Sequence, residues 1–198
     1  MPSLLPIAFF AFTMSFLPGP VNIITLASGL QNGVRPTLGF VTGATFGFAA
    51  LLAVIGVGMA ELPETGGVIL DVMTWVGAGL IVYIAMPLFR PNALGTSQQQ
   101  PIPTFLQGAL LQWLNPKAWG AILAALSLFN LRPGSLDLVW VIGMWSVLCF
   151  IGVGFWAVFG AQMQRLLGNP AYMTMMCRVM GSVLLLLVGI FLWRWAQS

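Results

Sequence analysis

The chain contains one lysine, Lys117, which follows Asn115 and Pro116 in a stretch without other charges. It lies about 13 residues into a predicted helix, or roughly 20 Å of helical rise. That depth is too great for a lysine that anchors a helix by extending its stem to the membrane surface. Because an ammonium group deep in a bilayer is costly, we interpret Lys117 as part of a functional site.

A second irregularity, Pro18-Gly19-Pro20, interrupts the first apolar segment. Proline has no N–H, so Pro18-Gly19-Pro20 leaves the carbonyls of Met14 and Phe16 without helical partners, and Pro116 does the same to Gln112. In hydrocarbon an unpaired carbonyl costs several kcal/mol, so such backbone must lie against protein or a water-filled cavity. A kink satisfied by neighbouring helices is the alternative, but two prolines around a glycine exceed what a kink needs.

The two breaks together predict a site for a zwitterion. After each break a half-helix restarts with unpaired N–H groups and a positive dipole end. Two such ends and Lys117 would bind an anion, while the freed carbonyls would accept hydrogen bonds from an ammonium group. The predicted substrate-binding and translocation residues are Pro18, Gly19, Pro20, Asn22, Gln112, Asn115, Pro116 and Lys117.

The elements that must position these residues are membrane helices. Of 198 residues, 59% are hydrophobic and 6% are charged, whereas a soluble domain carries about 25% charged residues. A span needs about 20 apolar residues, and the pattern predicts six, over residues 4–30, 37–60, 68–89, 104–129, 136–160 and 178–196. We therefore predict an all-α integral membrane protein, with one membrane domain over residues 1–198 in contact with the lipid bilayer. The first segment lacks a basic flank and a cleavage site, so we expect it to be retained.

The six helices divide into two halves, residues 1–92 and 103–198, joined by a polar linker at 93–102. Phe16-Leu17-Pro18-Gly19-Pro20 then aligns with Trp113-Leu114-Asn115-Pro116-Lys117. Because each half has an odd number of helices, the second must enter the membrane from the opposite side. The sequence thus predicts an inverted repeat with a binding site near mid-depth, between the corresponding breaks.

Glycines recur at every fourth position of the second predicted helix, at Gly39, Gly43 and Gly47. This spacing places them on one helical face and predicts close packing against another helix.

The arginines in the predicted loops indicate orientation. One side carries four of them, Arg35, Arg90, Arg165 and Arg178, and the other carries two, Arg132 and Arg194. We therefore expect a multi-pass protein with both termini on the outer side.

Several function classes are disfavoured by composition. The chain has no histidine, and its two cysteines lack metal-ligand spacing, so we predict no metal, no cofactor and no enzyme. Cys149 and Cys177 are interpreted as packing residues away from the breaks, and a pair of Lys117 with Ser15 or Ser127 has no supporting motif. The basic residues are scattered, which excludes a nucleic-acid partner. A passive facilitator or channel stays open as an alternative to a carrier, and so does a homo-oligomer.

The motifs resemble those of one family. Phe16-Leu17-Pro18-Gly19-Pro20-Val21-Asn22 is similar to the P-G-P-N signature of the lysine exporter / homoserine–threonine resistance (LysE/RhtB) translocators. Gly33-Val34-Arg35 resembles that family's basic turn, and Trp113-Leu114-Asn115-Pro116-Lys117-Ala118 resembles its N-P-K motif. The resemblance covers essentially the whole chain.

This resemblance implies a secondary transporter of the bacterial inner membrane that exports amino acids or their derivatives, driven by the proton gradient. It also implies that the path is lined by Pro18, Gly19, Pro20, Asn22, Asn115, Pro116 and Lys117. Two positions depart from the pattern: Val21 precedes the asparagine, and Phe48 stands where many members carry an acid. Since few intramembrane acids could bind a cationic side chain, the sequence is closer to cysteine/O-acetylserine-type exporters than to lysine exporters.

Overall fold

The computed structural model describes residues 4–58, 75–89 except 77, 80 and 84, 102–129, 131, 135–167 and 170–195. Helices are the only regular elements in this part of the chain. They are α1 (Leu4–Phe16), α2 (Pro20–Asn32), α3 (Val34–Gly58), a 3₁₀ helix (Met86–Phe89), α4 (Phe105–Trp113), α5 (Pro116–Leu128), α6 (Leu136–Leu167) and α7 (Pro170–Trp195). Further helical residues occur between 75 and 85.

Both predicted breaks are present. The axes of α1 and α2 differ by 54° across the first break, where Gly19 is extended and Pro20 begins α2. Proline suits the first helical position, because its missing N–H would have no helical partner there. The second break separates α4 from α5 at Leu114 and Asn115.

The long helix α6 packs against α1, α2 and α3. A Cβ at Gly29 of α2 would collide with the backbone of Ala157, and one at Gly152 of α6 would lie 2.8 Å from the Cβ of Ser15. These glycines therefore allow α6 to approach both parts of the first broken helix closely.

The second broken helix is held by α3, which packs against α4. A Cβ at Gly43 would collide with the backbone of Phe105, and one at Gly47 with that of Ala109. Gly39 is different, since it is exposed and no described atom lies within 4 Å of its Cβ position. Of the three glycines predicted to form a packing surface, Gly43 and Gly47 lie at the contact between α3 and α4, whereas Gly39 lies beyond the point where α4 meets α3.

The connection after α2 is shorter than predicted. Gly33 has φ of 79°, a left-handed conformation that favours glycine, and its N–H donates to the carbonyl of Gly29. α3 begins directly at Val34 rather than near residue 37. Pro36 fits inside its first turn, where a missing N–H breaks no helical hydrogen bond.

The polar stretch at 162–170 is also mostly helical, because α6 continues to Leu167 and α7 begins at Pro170 rather than near 178. Gln162, Gln164 and Arg165 are good helix formers. Their polarity predicted a loop, although a helix leaving the membrane can continue with such residues.

Two described helices, Val34–Gly58 and Leu136–Leu166, are long and apolar enough to cross a membrane, and the bent α1–α2 pair adds a third if counted as one. Much of the predicted third span, the linker at 93–101, and the loop residues Arg90 and Arg132 lie outside the described residues. The all-helical prediction is confirmed for the described residues, whereas six spans in two inverted halves stay a prediction.

Candidate functional site

Both helix breaks open onto one cavity of about 40 Å³, enough for roughly three water molecules. Five of the predicted site residues line it, namely Gly19, Asn22, Gln112, Asn115 and Lys117. The other lining residues are Met14, Ser15, Val21, Phe48, Ala118, Ala121, Trp145, Cys149 and Val153. Pro18 and Pro20 are absent from the described lining, and Pro20 and Pro116 begin the helices that follow the two breaks.

Three carbonyls at the first break accept hydrogen bonds from side chains. The amide Nδ2 of Asn22 donates to the carbonyl of Ser15 at 3.1 Å and to that of Leu17 at 2.9 Å. The indole of Trp156 on α6 donates to the carbonyl of Phe16 at 3.2 Å. The break is thus a polar backbone segment held by the protein, which makes it tolerable in an apolar surrounding.

Side chains also hydrogen-bond the backbone at the second break. Asn115 caps α5, since its Oδ1 accepts from the N–H of Lys117 at 3.1 Å. The indole of Trp119 donates to the carbonyl of Trp113 at 2.7 Å. Trp113 is the residue that aligns with Phe16 in the proposed repeat, so corresponding carbonyls accept an indole N–H at both breaks.

Lys117 joins the two breaks. Its Nζ donates a hydrogen bond to the carbonyl of Leu17. Within the described residues this is the only hydrogen bond between the α1–α2 pair and the α4–α5 pair. Its stem lies over Gly19, where a Cβ would be 2.9 Å from Cδ and 3.3 Å from Nζ of the lysine. A glycine is therefore needed at position 19 for the lysine to lie as it does.

Three buried polar atoms at the cavity make no hydrogen bond to another described residue: Asn22 Oδ1, Gln112 Oε1 and Asn115 Nδ2. The three side chains are only 3–5% exposed. Because buried polar atoms are nearly always paired, these two acceptors and one donor are suited to water or a polar ligand. The cavity thus offers one cation, one amide donor and two amide acceptors.

The remaining wall is apolar and aromatic. Trp145 is almost fully buried, and its ring centroid lies 5.1 Å from that of Phe48. Cys149 Sγ accepts a long 3.8 Å contact from Gln112 Nε2. Among the described lining residues Lys117 carries the only formal charge, and there is no carboxylate.

Known proteins are similar to this chain over most of its length. The LysE type translocator model matches residues 12–195. The cysteine/O-acetylserine efflux protein of Klebsiella pneumoniae is 32% identical over 165 residues, covering 80% of this chain and 83% of the relative. The protein of that name from Escherichia coli K12 is 31% identical over 165 residues, covering 80% and 84%.

The chain belongs to the LysE type translocator family. The family resemblance seen in the motifs is thereby confirmed, and with it a membrane transport protein rather than a soluble domain. No solved structure matches the chain.

Three tryptophans, Trp119, Trp145 and Trp156, and Cys149 contribute to this site of the LysE type translocator but were not predicted from the sequence. Trp145, Cys149 and Val153 recur at every fourth position, so they form one face of α6 that lines the cavity. Cys149 was predicted to pack away from the breaks, which is wrong because it lines the cavity onto which both breaks open. This four-residue spacing is the sequence pattern that could have indicated these cavity-lining residues. No sequence pattern near Phe16 indicates Trp156 as its partner.

Cys177 and Ser15 have other partners. Cys177 accepts from Gln31 Nε2 at 3.4 Å on the α2–α7 side and is absent from the cavity lining. Ser15 lines the cavity with Lys117, but its hydroxyl donates to the carbonyl of Ala11 at 2.7 Å. This bond leaves the Ser15 hydroxyl directed at its own helix, which gives the serine–lysine enzyme alternative no geometric support.

Proposed function

We propose that this LysE type translocator exports small neutral amino acids or their derivatives from the bacterial cytoplasm. The observation that carries the proposal is the cavity between the two helix breaks, with one ammonium group and several backbone and amide acceptors. Relatives at 31–32% identity are named cysteine/O-acetylserine efflux proteins. Both named compounds are small amino acids with uncharged side chains, so they are the first candidates for this chain.

A free amino acid has two charged ends, and the cavity offers partners for each. The carboxylate would bind the ammonium of Lys117 and the amide donor Nδ2 of Asn115. The ammonium would donate to the carbonyl of Leu17 and to the unpaired acceptors of Asn22 and Gln112. Charge-assisted hydrogen bonds of this kind are stronger than neutral ones.

The lining of the cavity favours a substrate whose side chain is neutral. Among the described lining residues no carboxylate faces the cavity, and Phe48, Trp145 and Cys149 line the remaining wall. A cationic side chain would be buried there without a counter-charge, which costs several kcal/mol. A small polar or thiol side chain meets only the apolar wall and the Gln112 amide.

We propose that the transporter has six membrane spans in two inverted halves. It lies in the inner membrane, with both termini on the outer side. Indole-capped carbonyls at the corresponding residues Phe16 and Trp113 support the repeat. Coupling to the proton gradient is part of the proposal, supported by the family resemblance. Among the described lining residues, the basic group is that of Lys117.

Counterflow in proteoliposomes tests the proposal. We expect vesicles preloaded with cysteine or O-acetylserine to take up the labelled compound, while lysine gives no exchange. A pH gradient should drive accumulation above equilibrium. Flux that never accumulates substrate under any gradient would instead favour a passive facilitator, and absence of exchange with every natural amino acid would contradict amino-acid export.

A further inference from the structure

The carbonyl oxygen of Leu17 has no free acceptor position. A carbonyl oxygen has two lone pairs and accepts two hydrogen bonds. One comes from Asn22 Nδ2 at 2.9 Å, and the other comes from Lys117 Nζ. A third donor can reach this oxygen only if one of these two leaves.

The two donors differ in how firmly they are held. Asn22 is 4% exposed, lies within the first turn of α2, and also donates to the carbonyl of Ser15 at 3.1 Å. Lys117 reaches Leu17 from α5 with a long flexible stem and makes no second hydrogen bond through Nζ among the described residues. Lys117 is therefore the less firmly held of the two donors.

We propose that Lys117 competes with the ammonium group of the substrate for the carbonyl of Leu17, an inference that rests on the proposed function. When substrate binds, one ammonium replaces another on the same oxygen, and the released Lys117 turns to the substrate carboxylate. No covalent bond changes in this exchange.

The exchange also alters the connection between the two broken helices. Lys117 to Leu17 is the only hydrogen bond between them in the described part of the chain. Substrate loading replaces this direct link by one that passes through the substrate, from Leu17 to its ammonium and from its carboxylate to Lys117. The hydrogen-bond partner of Lys117 thus depends on whether substrate occupies the site, and so does the link between the two broken helices.

Gly19 provides a way to displace the lysine without removing its charge. A Cβ at this position would lie 2.9 Å from Lys117 Cδ, and the atom in its way belongs to a flexible side chain. The backbone of Gly19 is extended, with φ of −156°, so alanine fits it. Gly19→Ala therefore moves Lys117 off Leu17 while leaving it able to meet a carboxylate.

The test measures calorimetric binding of three probes to the purified full-length protein under reducing, mildly acidic conditions. L-Cysteine has both charged ends, L-cysteinamide has the ammonium alone, and N-acetyl-L-cysteine has the carboxylate alone. We expect Lys117→Met to bind cysteinamide about tenfold more tightly than wild type, the factor that loss of one competing hydrogen bond carries. The same variant should bind N-acetyl-L-cysteine more weakly.

Gly19→Ala should bind both cysteine and cysteinamide more tightly, and Gly39→Ala, at an open surface position, should match wild type. If thermal unfolding shows that Lys117→Met is not folded, the cysteinamide affinity of Gly19→Ala tests the competition instead. Cysteinamide affinity that is unchanged or weaker in the folded variants would overturn the competition. A wild-type protein that binds none of the three probes would instead contradict the proposed function.

Discussion

The indole N–H of Trp156 lies 3.2 Å from the carbonyl oxygen of Phe16, although 140 residues separate them in the chain. Trp156→Phe keeps the ring and removes this donor, which leaves a partly buried carbonyl unpaired. We expect a loss of about 1–3 kcal/mol of unfolding free energy, measured by thermal unfolding in detergent. Trp140→Phe on the exposed face of the same helix is the control, and equal effects of the two changes would contradict a role for the hydrogen bond.

Close approach of α3 and α4 depends on Gly43 and Gly47. Alanine at either position collides with the backbone of α4 rather than with a movable side chain. We expect each substitution to destabilise the protein by about 1–3 kcal/mol, and Gly39→Ala to have little effect. Unfolding temperatures of the three variants, compared in one detergent, check this, and a neutral Gly43→Ala would show that the helices are less closely packed.

Asn22 holds the first break through its two N–H donors. Asn22→Asp has the same shape but presents carboxylate oxygens to the carbonyls of Ser15 and Leu17. We expect substrate exchange to fall by at least about tenfold, since buried acceptors then face each other. Asn32→Asp, at the far end of the same helix, should retain exchange, and a fully active Asn22→Asp variant would contradict the assigned contacts.

The alkylation rate of Cys149 can be used to measure whether substrate occupies the cavity. It is 4% exposed and lines the cavity. In a Cys177→Ala protein we expect O-acetylserine to slow the alkylation of Cys149 by N-ethylmaleimide several-fold, whereas lysine should have no effect. Mass spectrometry of the labelled peptide gives the rate, and alkylation that is equally fast with saturating O-acetylserine would place the substrate elsewhere.

The helix breaks could be predicted from the sequence because proline removes a backbone donor wherever it lies. Lys117 could be assigned to the site because burying an ammonium group in an apolar segment is too costly for a residue that only packs. The donors that complete the breaks could not be predicted, since Trp156 reaches Phe16 only after α6 has packed against α1 and α2. Local sequence carries no information about which helix will be that neighbour.

Helix ends were predicted less well than breaks for a related reason. Polarity at 162–170 indicated where the chain leaves an apolar surrounding, but residues such as Gln164 and Arg165 remain helical there. Gly39 illustrates the same limit of local sequence. Its spacing places it on one helical face with Gly43 and Gly47, but the length of α4 determines how far that face is covered.

Exchange of labelled O-acetylserine by Lys117→Ala proteoliposomes tests the central claim most directly, with Arg35→Ala as a control that removes an exposed positive charge at the start of α3. If the two helix breaks and Lys117 form the amino-acid site, Lys117→Ala should insert and fold normally but lose exchange by about thirtyfold or more, the effect of removing one partner of a buried charge pair. Arg35→Ala should stay near the wild-type rate. Wild-type exchange by a correctly inserted Lys117→Ala protein would contradict the account.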